Sequence, residues 1–242
     1  MTKSPSVAAK ATKSTSARQY HHGSLPDALL VAAENVLRRD GLRGLSLRAI
    51  AREAGVSHTA PQHHFGDVEG VLSELAAIGY FRLAHNMSEH AQRAADARVR
   101  PNAIAHGYID FAVTHPELFR LMSRKELLDF SRPSLIAGAQ ASARGLADVF
   151  ESAADAGNPA SASSASQSAA ASDVAHTAHA FSHLDPRQII MLTAAWGYVH
   201  GLATLLVDNR LDFITRANAA FDDPHALVDA VIDQVQIQFK GP

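Results

Sequence analysis

Residues 46–65 read SLRAIAREAGVSHTAPQHHF, and this stretch decides the fold. Leu47, Ile50, Ala51 and Ala54 stand at i, i+3, i+4 and i+7, which puts them on one buried face of a short helix. Ser46 is placed to cap that helix, and Gly55 breaks it. Ser57 is then placed to cap another short helix running to Phe65. In such a helix His58, Thr59, Gln62 and His63 share one face, with Pro61 and Phe65 opposite. Pro61 removes an early helical hydrogen bond, which is tolerable only in the first turn. A capped helix, a turn at Gly55-Val56-Ser57 and a second short helix together make a helix-turn-helix.

Working outward, Ser24 with Asp27 three residues on is a capping box, with Pro26 in the first turn. Leu25, Leu29, Ala32, Val36 and Leu37 continue at helical spacing to a stop at Asp40-Gly41. Asp67 is a cap for a fourth helix, whose stripe Val68, Leu72, Leu75, Ile78 and Leu83 runs on towards Met87. That helix is long enough to link two domains. Helices are predicted over residues 104–114, 117–130 and 134–150, with Pro101, Pro116 and Pro133 at their starts. Residues 152–182 are dominated by Ala and Ser around Gly157-Asn158-Pro159 and are predicted to form a mobile loop. Two apolar helices close the chain, one from Asp185-Pro186 through Leu206 and one from Asp223-Pro224 through Phe239. No strand signal competes, so the fold class is all-α.

At 242 residues, 47% hydrophobic and 19% charged, the chain is long and apolar enough for a small folded module plus a larger one. It has no cysteine, which removes disulfides, thiolate nucleophiles and thiolate metal sites. No uninterrupted apolar run reaches the ~18 residues of a membrane helix, and no signal peptide is present, so a cytoplasmic location away from membranes is expected. The net charge of −2 hides an asymmetry. Residues 1–66 hold nine Lys/Arg against four Asp/Glu, and the remainder thirteen against twenty. A basic head on an acidic body suits a head that faces phosphates. Residues 1–17, with Lys3, Lys10 and Lys13 among Ser, Thr and Ala, read as a disordered basic tail.

The segment 46–65 with its flanks YHHGSL (residues 20–25) and GDVEGVLSELA (residues 66–76) resembles the N-terminal domain of the TetR/AcrR family of transcriptional regulators. Two further segments, THPELFRLM (residues 114–122) and AWGYVHGLATL (residues 195–205), resemble the ligand-binding domain of a TetR subgroup marked by a Trp-His-Gly pattern. Here three residues separate Trp196 from His200-Gly201. The resemblance implies a DNA-binding domain over residues 18–83 and a ligand-binding and dimerisation domain over residues 84–242. It also implies a helical homodimer that binds a palindromic operator in double-stranded DNA.

On that resemblance Ser57, His58, Thr59, Gln62 and His63 enter the major groove, and Arg48 contacts phosphate or a base edge. His64 reaches the backbone, Arg18 contacts phosphate or the minor groove from the arm, and Arg43 is a further candidate. The family commonly has tyrosine at the position of Gln62 and lysine at that of Val68, both phosphate contacts. Gln62 can instead read adenine through its amide.

Tyr108, Phe111, Phe119, Met122, Trp196 and His200 are candidates to line a pocket for a small hydrophobic effector, although core packing explains their spacing equally well. Leu202, Leu206, Val228, Val231, Ile232 and Val235 are the expected dimer contacts, through a four-helix bundle as in the family. Fourteen histidines raise the question of metal, but adjacent pairs such as His21-His22 and His63-His64 point about 100° apart, so no metal or other cofactor is expected. Nor is an enzyme: there is no Gly-x-Ser-x-Gly elbow, His-Glu-x-x-His helix or glycine-rich phosphate loop. The expected function is a ligand-responsive repressor. The alternatives are an activator, or a protein-binding module with no operator of its own.

Overall fold

The structure is a computed structural model that describes residues 24–96, 98–154, 181–218, 220–221 and 223–235. Among them the regular elements are all helical. They are α1 (Leu25–Gly44), α2 (Leu47–Ala54), α3 (Ala60–Phe65), α4 (Val68–Arg93), α5 (Arg100–Thr114), α6 (Pro116–Met122), a 3-10 turn (Lys125–Leu127), α7 (Pro133–Ala154), α8 (Pro186–Val207), α9 (Asp212–Ala217) and α10 (Pro224–Gln234).

Three of the predicted caps, those of α1, α2 and α4, act as their chemistry requires. The Asp27 carboxylate accepts from both the backbone N–H (3.1 Å) and the hydroxyl (2.8 Å) of Ser24 at the start of α1. Ser46 Oγ accepts from Ala49 N–H at 3.2 Å, and Asp67 Oδ1 from Gly70 N–H at 2.8 Å. Gly55 takes the left-handed conformation (φ 68°, ψ 31°) that closes α2 and turns the chain towards α3.

The 26-residue α4 spans roughly 39 Å at 1.5 Å per residue and joins the two halves. Near its start Val71, Leu72 and Leu75 share a core with Leu29, Val36 and Leu37 of α1, Ile50 of α2 and Phe65 of α3. Farther on it packs against α5 and α7, burying Leu83, Met87 and Ala91. Arg82 of α4 also donates through Nη2 to Glu34 Oε2 of α1 at 2.9 Å.

Several boundaries differ from the sequence reading. α1 kinks at Gly41 (φ 67°) and continues one turn to Gly44 rather than stopping. The helix expected over residues 117–130 ends at Met122. Beyond it the chain passes through the 3-10 turn into extended backbone at Leu128, which is buried. Tertiary bonding wins over helical propensity there, because Asp129 N–H donates to the fully buried Ser73 Oγ of α4 at 2.8 Å. Residues 152–154, expected in the Ala/Ser loop, finish α7, and residues 155–180 lie outside the described residues. α9 was not anticipated, and α10 closes at Gln234, with residues 236–239 outside the described ones. The basic tail, Arg18, His21 and His22 are likewise outside them.

α10 is held to the body from one side. His106 of α5 sets Nδ1 and Nε2 each 3.1 Å from a carboxylate, Asp229 and Asp233, one turn apart on α10. Asn102 Nδ2 donates to Ile232 O and Tyr198 Oη to Val231 O, both at 3.1 Å. α8 is more apolar than the uninterrupted-run test suggested. Its best 18-residue window has a mean hydropathy of 1.6, long and apolar enough by length and composition to cross a membrane, and only 22% of that window is buried.

Candidate nucleic-acid interface and ligand cavity

Arg43, Arg48, Ser57, His58, Thr59, Gln62, His63 and His64 are all exposed on the N-terminal module. Pro61 and Phe65 are buried beneath them, so α3 is anchored by one face and open on the other. The start of α3 corrects the expected geometry: the regular helix begins at Ala60, with Thr59 as N-cap and no side-chain cap. Proline explains the shift. A helix capped at Ser57 would place residue 61 where its N–H must bond to a carbonyl, and Pro61 has none; starting at Ala60 puts it in the first turn.

His58 and Thr59 therefore sit in a turn ahead of α3, closed by Ala60 N–H donating to Ser57 O at 3.0 Å. Ser57 Oγ and Thr59 Oγ1 are 2.9 Å apart and bond to each other. Gln62 and His63 stay on the open face of the helix, with His64 edge-on to His63 at 5.3 Å between ring centroids. Arg48 lies in the first turn of α2, Arg43 in the last turn of α1. Among the described residues, no group of three or more His, Cys, Asp or Glu is placed to hold a metal ion.

In the larger module an apolar cavity of about 50 Å³ lies between α5, α7, α8 and α10. Its wall includes Ile104, Ala105, Tyr108, Leu146, Leu192, Ala195, Trp196, Val199 and Ile232. Of the six expected pocket residues, Tyr108 and Trp196 line it. Phe119 and His200 stand behind Tyr108 in an aromatic cluster, with Tyr108 edge-on to Phe119 at 6.1 Å and Phe119 5.3 Å from His200. Phe111 is wholly buried elsewhere in the core, and Met122 packs over Gly79. Leu192, Ala195 and Val199 fall at i, i+3 and i+7 on α8; that periodicity is visible in sequence, but which face meets a void is not.

Two ionisable groups respond to this burial. Burial pushes the Tyr108 phenol up to about 12, against a smaller downward effect of the Trp196 side chain, and burial lowers His200 from its ordinary value. Both groups are therefore neutral near pH 7.

The expected dimer contacts divide into two sets. Leu206, Val228 and Ile232 are buried within the protomer, at 6%, 1% and 2% exposure, and so belong to its own core. Leu202 and Val231 are half-buried and Val235 is exposed. A face that the sequence reading missed lies beside them: Ile190 is 69% exposed, Ala194 and Gly197 are open, and a Cβ added at Gly197 or Gly201 would meet nothing within 4 Å.

Residues 29–75 match the family model for bacterial regulatory proteins of the tetR family, and residues 102–235 match the tetracyclin repressor-like C-terminal domain. The chain belongs to the TetR family of bacterial regulators. That C-terminal match names no Trp-His-Gly subgroup. A solved protein of unknown function from Rhodococcus sp. RHA1 is 30% identical, with a TM-score of 0.62 over 89% of this chain and 95% of that one. The transcriptional regulator FadR of Bacillus subtilis, solved in complex with stearoyl-CoA, shares the fold at 12% identity, with a TM-score of 0.57 over 89% of this chain and all of that one. Among curated proteins, the uncharacterized HTH-type transcriptional regulator YobS of Bacillus subtilis (strain 168) is 28% identical over 86 residues, 35% of this chain and 44% of that relative.

Proposed function

We propose that this chain is a DNA-binding transcriptional repressor that acts as a homodimer on a palindromic operator and is released by a small hydrophobic effector. The carrying observation is the α2–α3 unit, whose apolar side is buried while Arg48, His58, Thr59, Gln62, His63 and His64 are all turned outward with no large apolar group among them. Such a surface suits a polar groove lined by phosphates and base edges. Arg48 and His64 position the module on the backbone, and Gln62 and His63 read bases.

A single short helix makes too few contacts for specificity, so two heads are needed, spaced about 34–36 Å apart to meet successive turns on one side of the duplex. The exposed apolar stripe of α8, with Val235, supports pairing of two copies there, which also explains an apolar helix left largely uncovered without invoking a membrane. The protein then works in the cytoplasm.

The effector reading rests on the cavity. Three polar side chains of its wall already bond to protein: Tyr108 to His200, Asn102 to Ile232 O and Tyr198 to Val231 O. Little remains to pair with a strongly polar ligand, which favours an apolar one; stearoyl-CoA in the FadR structure has a long apolar portion of that kind. At about 50 Å³ the cavity is well below the ~300 Å³ at the lower end for ligand pockets, so an effector must widen it and thereby prefers the other conformation. Selection of duplexes from random DNA by the full chain, followed by mobility shift and light scattering, tests the reading. Failure to enrich any sequence at low salt would remove it.

A further inference from the structure

α3 is six residues long, too short to keep its direction by its own hydrogen bonds. Its last carbonyl, that of Phe65, has no helical partner. The larger module supplies one. Arg132, at the start of α7, donates from Nη2 to Phe65 O at 2.8 Å, and its Nη1 lies 3.4 Å from Glu74 Oε1 of α4. The guanidinium sits between two carboxylates: Asp129 is 3.5 Å from its Nε, which makes no hydrogen bond, Ser134 Oγ donates to the same Glu74 oxygen at 2.9 Å, and Asp129 N–H is bonded to Ser73.

Gly70 keeps the space around this bond open. A Cβ there would stand 2.1 Å from Phe65 O and 2.4 Å from Arg132 Nη2. A Cβ in the first turn of α4 would collide first with the Phe65 carbonyl and then with the guanidinium, so the glycine lets that carbonyl approach α4 and leaves the space in which the arginine reaches it.

We propose that Arg132 is a positioning residue for DNA reading. Reaching from the effector-binding module, it holds the carbonyl end of α3 and so fixes the angle at which Gln62 and His63 are presented. The inference rests on the DNA-binding function proposed above. An arginine used only to stabilise the fold would affect binding to every DNA alike; one that aims α3 affects the right sequence most.

The test uses the full chain with Arg132→Ala and Arg132→Lys, a duplex selected by the unsubstituted protein, and a scrambled duplex of equal length at the same salt. Loss of one charge-assisted bond should weaken Arg132→Ala on the selected duplex about ten-fold, with a change of about two-fold or less on the scrambled one. Lysine, which keeps one donor, should restore part of the loss. Without DNA, amide hydrogen exchange should quicken over residues 60–66 in both variants and stay unchanged over residues 29–37. Equal losses on the two duplexes, an unchanged affinity for the selected one, or unchanged exchange over residues 60–66 would each overturn the proposal. If Arg132→Ala does not fold, Arg132→Lys carries the same readouts. If the unsubstituted chain selects no duplex, the DNA-binding reading fails, and the exchange measurement alone decides whether Arg132 holds α3.

Discussion

The hydroxyl of Tyr108 on α5 lies 2.9 Å from Nδ1 of His200 on α8, and the two side chains share one hydrogen bond. The phenol keeps its proton and the half-buried imidazole is neutral, so the bond joins two uncharged groups, and the imidazole tautomer sets which of them donates. One hydrogen bond thus joins the helix that carries the cavity wall to the helix that carries the exposed apolar stripe. Replacing Tyr108 by Phe leaves Nδ1 without its partner and should lower stability by about 1–3 kcal/mol in denaturant unfolding. A variant as stable as the parent would show that water takes over the bond.

His200 also sets a pH dependence. Burial lowers its proton affinity in the folded state, and burial together with Arg82 lowers that of His115. Below about pH 6.5 the unfolded chain takes up protons that the folded chain resists, so stability falls as pH drops through that value and is full above it. Thermal melting between pH 7.5 and 5 should show this slope, and His200→Gln should flatten part of it, leaving the share due to His115. An undiminished slope in His200→Gln would assign the effect to other groups.

Gln62 decides whether α3 reads sequence. Its alanine variant should lose about 1–3 kcal/mol on the selected operator and accept any base at one position of the half-site. A loss spread evenly over all sequences would instead make Gln62 a phosphate contact, the role of the tyrosine common at this position in the family.

The dimer face is tested best by residues that are free in the protomer. Ile190→Asp places a charge at the N-terminal end of the exposed α8 stripe without touching the core, and should yield a folded monomer by light scattering and circular dichroism. Leu206→Asp should instead unfold the module, because Leu206 is 6% exposed within one protomer. A folded dimer in Ile190→Asp would move the interface to another surface.

The local chemistry of caps and turns was legible in the sequence because it is local: Ser24, Ser46, Gly55, Asp67, Asp185 and Asp223 each act within a few residues. The outward set of Arg48, Gln62 and His63 was legible for the same reason, since one turn and one helical period place it. Ser57 misled because the missing N–H of Pro61 outweighs a good capping residue. The cavity and the interface were read less well. Periodicity reports that Leu206, Val228 and Ile232 face something apolar, but not whether that is the same chain or a second copy. Arg132 was invisible for a further reason: its partner is a backbone carbonyl 67 residues away, which leaves no trace in side-chain pattern.

The exposed imidazoles of the α2–α3 unit separate binding from stability. His58, His63 and His64 are exposed, and the proposed function turns them towards the operator. Replacing all three by Gln should weaken operator binding at fixed pH and salt without moving the melting curve, because none of them is part of the core. His200→Gln should do the reverse: operator affinity at pH 7.5 stays as in the parent, while the acid limb of the melting curve moves to lower pH. A triple variant that binds the operator as tightly as the parent would show that these three imidazoles do not meet DNA, and would leave Arg48 as the principal charged contact of the α2–α3 unit.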